Sequence, residues 1–193
     1  MPLEKAFQSV LDALNRLEIS HMVGGSLASS MHGIPRSTND IDLVAVIKEE
    51  HISPLVAALS GDFYADPESI REALQHRRSF NVIHFESGSK FDIFPAAGNA
   101  YFETQIDRSK LQEVALGDGA SVRCSLATAE DIILAKLAWY RTGGEQSDRQ
   151  WNDLRGILAV QGALLDRVYM NQWAQHLNVL DLLERLFLER ETK

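Results

Sequence analysis

The chain has a single cysteine, Cys124. That excludes an intrachain disulfide and a zinc site built on cysteines, and Cys124 itself reads as a small strand residue rather than a catalytic thiol. Long apolar runs are also missing. No stretch approaches the roughly 20 residues that a membrane span needs. The N-terminal stretch carries Glu4 and lacks the apolar core of a signal peptide. A cytoplasmic protein without membrane contact is therefore expected. Positive charge is short too: 19 Lys and Arg stand against 27 Asp and Glu, a net charge of −8. A protein that grips nucleic acid through its bulk field is normally basic. Any such contact here falls to a local patch, with Arg36, Arg71, His76, Arg77, Arg78, Lys136, Arg141 and Arg149 as candidates. Most of these read equally well as scattered solvated charges, and His76-Arg77-Arg78 as a helix end favoured by its dipole. Repeats, low-complexity tracts and long linkers are absent.

What is present is the composition of an ordinary globular protein. The chain has 193 residues, 45% of them hydrophobic and 24% charged. That suffices for one large domain or two small ones. Leu3, Phe7, Val10, Leu11, Leu14 and Leu17 recur at helical spacing and predict a first amphipathic helix. Ser20 to Val23 reads as a short strand running into Gly24-Gly25, and Ser26 to His32 as a short helix with Ser26 near its N-cap. Gly33-Ile34-Pro35 breaks that helix. Asn39 to Ile47 is an apolar strand interrupted by Asp40 and Asp42. Pro54 is expected early in a helix reaching Leu59, and Pro67 at the start of another reaching Gln75. Ser79 to Phe85 and Lys90 to Phe94 read as a hairpin. Glu113 to Leu116 and Ser121 to Ser125 read as a second one, turning at Gly117-Asp118-Gly119. From Thr128 the pattern is helical, opened by a Thr128/Asp131 capping box and stopped at Gly143-Gly144. Three further helices are expected over Ser147 to Val160, Asp166 to Leu177 and Leu180 to Arg190. Trp139, Tyr140, Trp151 and Trp173 are expected to pack between these helices. The result is a mixed α/β domain over residues 1–126 and a helical domain over 127–193, packed together with the site between them.

Three acids sit at strand positions among apolar residues: Asp40, Asp42 and Asp92. Alternation along a strand places Asp40 and Asp42 on one face, with Ile41 and Leu43 behind them. Carboxylates crowded together repel, and a charge among apolar neighbours is costly unless paired. A divalent cation resolves both problems. The preceding glycines let backbone approach something bulky and anionic, such as a phosphate. A hard metal beside a phosphate cradle is the equipment of phosphoryl or nucleotidyl transfer. Asp92 either completes the metal site or accepts a hydroxyl proton as a base.

A strand ending in paired small residues, about a dozen residues, Asp-x-Asp in a strand and then a third strand acid resembles the polymerase-β-like nucleotidyltransferases. Gly24-Gly25-Ser26-Leu27-Ala28, Met31-His32-Gly33, Arg36-Ser37-Thr38 and Asp40-Ile41-Asp42 are similar to the AbiEii-type group in particular. That group occurs in bacterial abortive-infection and toxin–antitoxin systems. Glu130 to Lys136 and Arg149 to Leu154 match its two downstream motifs, so the resemblance runs to about residue 160. It implies a nucleotidyltransferase-like α/β (α+β) fold, a mixed sheet with flanking helices, followed by a C-terminal helical bundle. It implies that Gly24, Gly25 and Ser26 hold nucleotide phosphates, and that Asp40 and Asp42 hold Mg²⁺ or Mn²⁺, with Asp92 completing that metal site or serving as the base. Lys136 would reach the triphosphate, Asp153 would support the site from the next helix, and Arg36 would meet phosphate or acceptor. Lys136 reads equally well as a snorkelling helix lysine, and Asp153 as a partner of Arg149 at i, i+4. The implied reaction moves an NMP from an NTP to an acceptor hydroxyl. RNA such as tRNA, a protein, and an aminoglycoside-type small molecule stay open as acceptors. A cognate antitoxin partner and a retired, merely binding module stay open as well.

Overall fold

The structure is a computed structural model that describes residues 3–36, 38, 40–117 and 120–191. The expected strand start at Asn39 and turn residues Asp118 and Gly119 lie outside the described residues. In chain order the first elements are α1 (Leu3–Arg16), β1 (His21–Val23), α2 (Gly25–His32), β2 (Asp40–Ala45), α3 (Glu49–Leu59) and β3 (Phe63–Tyr64). There follow α4 (Pro67–His76), β4 (Phe80–His84), β5 (Lys90–Pro95), α5 (Ala100–Arg108), β6 (Lys110–Gly117) and β7 (Ala120–Leu126). The chain ends in α6 (Ala129–Thr142), α7 (Asp148–Gln161), α8 (Arg167–His176) and α9 (Leu180–Glu191). No helix among the described residues is long and apolar enough to cross a membrane.

Two compact units result. One comprises Met1–Gly24 and Thr38–Leu126, the other Gly25–Ser37 and Ala127–Lys193. In the first unit the described strands form one seven-stranded sheet in the order β3-β4-β5-β2-β1-β7-β6. β2 pairs β5 and β1 pairs β7 in parallel, and the remaining pairs are antiparallel. The central strands obey the period of two: Ile41, Leu43, Phe91 and Ile93 are buried while Asp40, Asp42 and Asp92 are not. Phe7, Val10, Leu11 and Leu14 bury the apolar stripe of α1, and the Phe7 ring lies 6.1 Å from Phe91. Cys124 is buried, and burial pushes its thiol up to about 11, which suits packing rather than nucleophilic work.

The second unit contains α2 and α6 to α9. α2 packs against α6 and α7, α7 against α9, and α8 against both α6 and α9. The expected Thr128/Asp131 cap is present, since the Thr128 hydroxyl accepts from Asp131 N at 3.3 Å and donates to its carboxylate at 2.8 Å. Asp131 does more than cap. It is fully buried and also accepts from the Tyr169 hydroxyl, which links α6 to α8. Tyr140 and Trp151 pack together with centroids 5.0 Å apart. Trp139 is 54% exposed, because the buried side of α6 is taken by Ile132, Ile133, Lys136, Leu137 and Tyr140.

Other differences have local causes. α3 begins at Glu49, so Pro54 stands within the helix rather than near its start. His51 Nδ1 accepts from Lys48 N at 3.1 Å and helps fix that earlier start. α5 and the two-residue β3 carry no readable pattern; α5 buries only Tyr101 and Gln105, so no apolar stripe betrays it.

Candidate active site

In the first unit the acids come together through register. β2 and β5 run parallel with Asp42 opposite Asp92 and Asp40 opposite Lys90. Side chains two residues apart share a face, so these four line one face of adjacent strands. Asp40 is exposed, whereas Asp42 and Asp92 are half-buried. β1 ends beside them: Gly24 N donates to Asp42 O at 2.9 Å, so the glycine turn departs next to the middle of the acid pair. The Thr38 hydroxyl donates to Asp40 O at 3.1 Å.

Lys90 was not legible as a site residue. Its Nζ lies 2.9 Å from Asp92 Oδ2. The hydrogen bond that Lys90 donates to Asp92 raises the Lys90 pKa above the ordinary ammonium value, burial works against it, and the charges of Asp92, Asp40 and Asp42 add to the rise. One ammonium therefore sits in the field of three carboxylates. The available signal was its position two residues before Asp92 on the same strand. Three carboxylates are hard oxygen donors of the kind Mg²⁺ and Mn²⁺ prefer, so the donor chemistry fits the expected ion. Among the described residues, no group of three or more His, Cys, Asp or Glu side chains is gathered tightly enough to hold a metal as it stands.

The second unit holds a separate cluster. Gly25 opens α2 with φ at 55°, in the left-handed region that only glycine enters without strain. Beyond the helix the chain returns as Arg36, whose guanidinium forks onto Asp153 of α7: Nε to Oδ1 and Nη2 to Oδ2, both at 2.9 Å. Nη2 also donates to the Ser26 hydroxyl at 2.7 Å. Lys136 reaches Asp153 Oδ2 from α6 at 2.8 Å. Asp153 is 9% exposed and Lys136 11% at their side chains, so Lys136 is not snorkelling and Asp153 is not the exposed partner of Arg149. Burial pushes the Asp153 carboxyl up, but hydrogen bonds and charge from Arg36 and Lys136 outweigh it and hold it below the usual range. Two cations share one anion, which leaves the trio one positive charge in excess. The sequence named all four residues but not their mutual bonds.

The other basic candidates are mostly engaged elsewhere. Arg71 bonds Glu49 and Glu68 at 2.8 and 2.6 Å. Arg141 bonds Asp181 at 2.6 Å. Arg77 is the left-handed C-cap of α4, with φ at 52°. The His32 ring Nε2 donates to Ala127 O at 2.7 Å.

No protein-family model matches the sequence, and no curated relative does. Solved structures do match the fold. The antibiotic-resistance factor ANT(2'')-Ia in solution aligns with a TM-score of 0.50 at 19% identity, covering 98% of this chain and 96% of that one. The crystal structure of ANT(2'')-Ia with adenylyl-2''-tobramycin gives a TM-score of 0.53 at 20% identity, covering 90% and 97%. An antigenic nucleotidyltransferase-like protein from Paracoccidioides brasiliensis gives 0.51 at 16% identity, covering 95% and 91%. At such identities the likeness is one of fold, and the chain has a nucleotidyltransferase-like fold, with a mixed sheet, flanking helices and a helical C-terminal half.

Proposed function

We propose that this chain is a divalent-metal-dependent nucleotidyltransferase of the AbiEii-type group within the polymerase-β-like superfamily. The acceptor hydroxyl of RNA, such as a tRNA end, or of a protein would attack the α-phosphorus of an NTP, taking up the NMP as the α–β phosphoanhydride breaks and pyrophosphate leaves. The observation that carries this is the register of Asp42 against Asp92 with Asp40 on the same face, beside the Gly24 turn. Asp40, Asp42 and Asp92 would hold Mg²⁺ or Mn²⁺. When bound, the ion neutralises the carboxylates and polarises phosphoryl oxygens. The backbone of Gly24, Gly25 and Ser26 would meet the nucleotide phosphates. Lys136 and Arg36 would supply positive charge for the triphosphate. An ammonium has three donors and the bond to Asp153 uses one. Asp153 is the positioning residue that holds both cations. Asp92 would act mainly as a ligand.

A second acceptor class is a polycationic small molecule of the aminoglycoside kind. The net charge of −8 favours it, as does the likeness to an antibiotic-resistance factor solved with adenylyl-2''-tobramycin. Incubation with each labelled NTP, Mg²⁺ or Mn²⁺, and either total tRNA, cell lysate or an aminoglycoside panel separates the classes. Label in tRNA or lysate protein supports a toxin-like enzyme, and the lysate arm also exposes a co-purifying antitoxin. Label confined to the small molecules supports the second class. Nucleotide binding with no transfer to any acceptor leaves a retired binding module. Asp42→Ala should abolish metal-dependent nucleotide binding while the fold persists, because removing one carboxylate relieves repulsion. Equal affinity of Asp42→Ala and wild type by calorimetry would remove the metal assignment.

A further inference from the structure

We propose that Lys90 is a built-in counter-cation that competes with the divalent ion for Asp92 and so sets how tightly the carboxylates bind metal. This rests on the metal reading above. Lys90 stands opposite Asp40 in the β2–β5 register, and its Nζ lies 2.9 Å from Asp92 Oδ2. On the β4 side its face-sharing neighbours are Ile83 and Asn81, neither of them charged. The charged neighbours that the strand register gives it are thus the acids themselves. A lysine side chain is an ammonium throughout the neutral range.

Two consequences follow from the charges. In the metal-free protein the ammonium offsets repulsion among three carboxylates on one face. When a divalent ion arrives, the Lys90–Asp92 bond must open and the ammonium must withdraw from a +2 charge. Lys90 is 39% exposed and Asp92 18%, so the pair is weak and water can take the ammonium. The four-carbon stem lets Nζ swing aside without moving the strand. Lys90 therefore tunes metal affinity rather than blocking the site.

The test is Mn²⁺ alone, titrated by calorimetry into the full-length wild type and into Lys90→Met, Lys90→Arg and Asp42→Ala. Metal-free thermal unfolding is recorded alongside. Lys90→Met should bind Mn²⁺ roughly three- to tenfold more tightly, a change of the size expected for one half-exposed charge. Its metal-free melting temperature should fall, and the affinity gain should shrink at high salt. Lys90→Arg should stay near wild type, because it keeps the charge. Equal or weaker binding by Lys90→Met, or an equal gain in Lys90→Arg, overturns the competition while leaving the metal reading intact. Mn²⁺ binding that is absent throughout, or unchanged in Asp42→Ala, overturns the metal reading and this proposal with it.

Discussion

A carboxylate shared by two cations and 9% exposed cannot be removed without leaving buried charge behind. Asp153→Ala would strand Arg36 and Lys136 together. Breaking a buried pair in this way costs about 3–5 kcal/mol, read by urea unfolding at pH 7. The effect has a defined pH dependence. The folded Asp153 pKa lies below its unfolded value of about 3.9, so its stabilisation is complete above that value. It is lost as pH falls through the lower folded value. The stability gap between wild type and Asp153→Ala should therefore be flat from pH 7 to about 5 and close below about 4. A gap that persists unchanged at pH 2 would mean that Asp153 acts through packing rather than charge. Arg36 and Asp153 were each legible as candidates, yet 117 residues separate them, and only tertiary packing turns them into a fork.

At the scale of elements, Gly33 illustrates how one residue can be read correctly for an incomplete reason. In sequence, Gly33-Ile34-Pro35 is a helix stop. In the second unit Gly33 also lies against the backbone of α7. A Cβ on Gly33 would come within 2.8 Å of Ile157 N and 2.9 Å of Gly156 C. Gly156 answers from the other side, where a Cβ would meet Ile34 at 3.4 Å. Two glycines thus let α2 and its exit loop approach α7. Backbone cannot move aside as a side-chain tip can. Gly33→Ala should therefore destabilise by about 1–3 kcal/mol, the usual range for overpacking, measured from the urea midpoint. An unchanged midpoint would show that the contact is loose. Arg36, proposed above to meet the triphosphate, follows Gly33 by three positions. The Gly33→Ala variant should lose triphosphate affinity along with stability.

For the whole molecule, ligand binding and stability are linked. A ligand that binds only the folded state stabilises it by about 2.7 kcal/mol at one hundred times its Kd. For a chain of this size that corresponds to a melting-temperature rise of roughly 5–10 °C. Wild type with saturating Mn²⁺ and the preferred NTP should show this rise. Asp42→Ala should show none, and Lys136→Met a smaller one. A rise with NTP alone, independent of metal and of Asp42, would count against the proposed chemistry. The charge of −8 is also a property of the whole chain. With a net charge of −8, any nucleic-acid binding falls to a local patch, and its salt dependence should be shallow, reflecting few phosphate contacts.

Local patterns sufficed for much of this. The period of two in Asp40-Ile41-Asp42-Leu43 and Phe91-Asp92-Ile93 predicted strands with acids on one face, and β2 and β5 have that form. The helical stripe of α1, the Pro67 start of α4 and the Thr128 cap of α6 are equally local and equally legible. These signals survive because each is a short-range steric or hydrogen-bonding preference written into neighbouring residues. α5 escaped because its buried side is a tyrosine and a glutamine. Pairing between distant segments has no such local signature. The register of Asp42 on Asp92, the ammonium of Lys90 among the acids, the fork of Arg36 on Asp153 and the exposure of Trp139 depend on which surfaces meet. Only the folded chain decides them, because charge and packing act through space and not along the sequence.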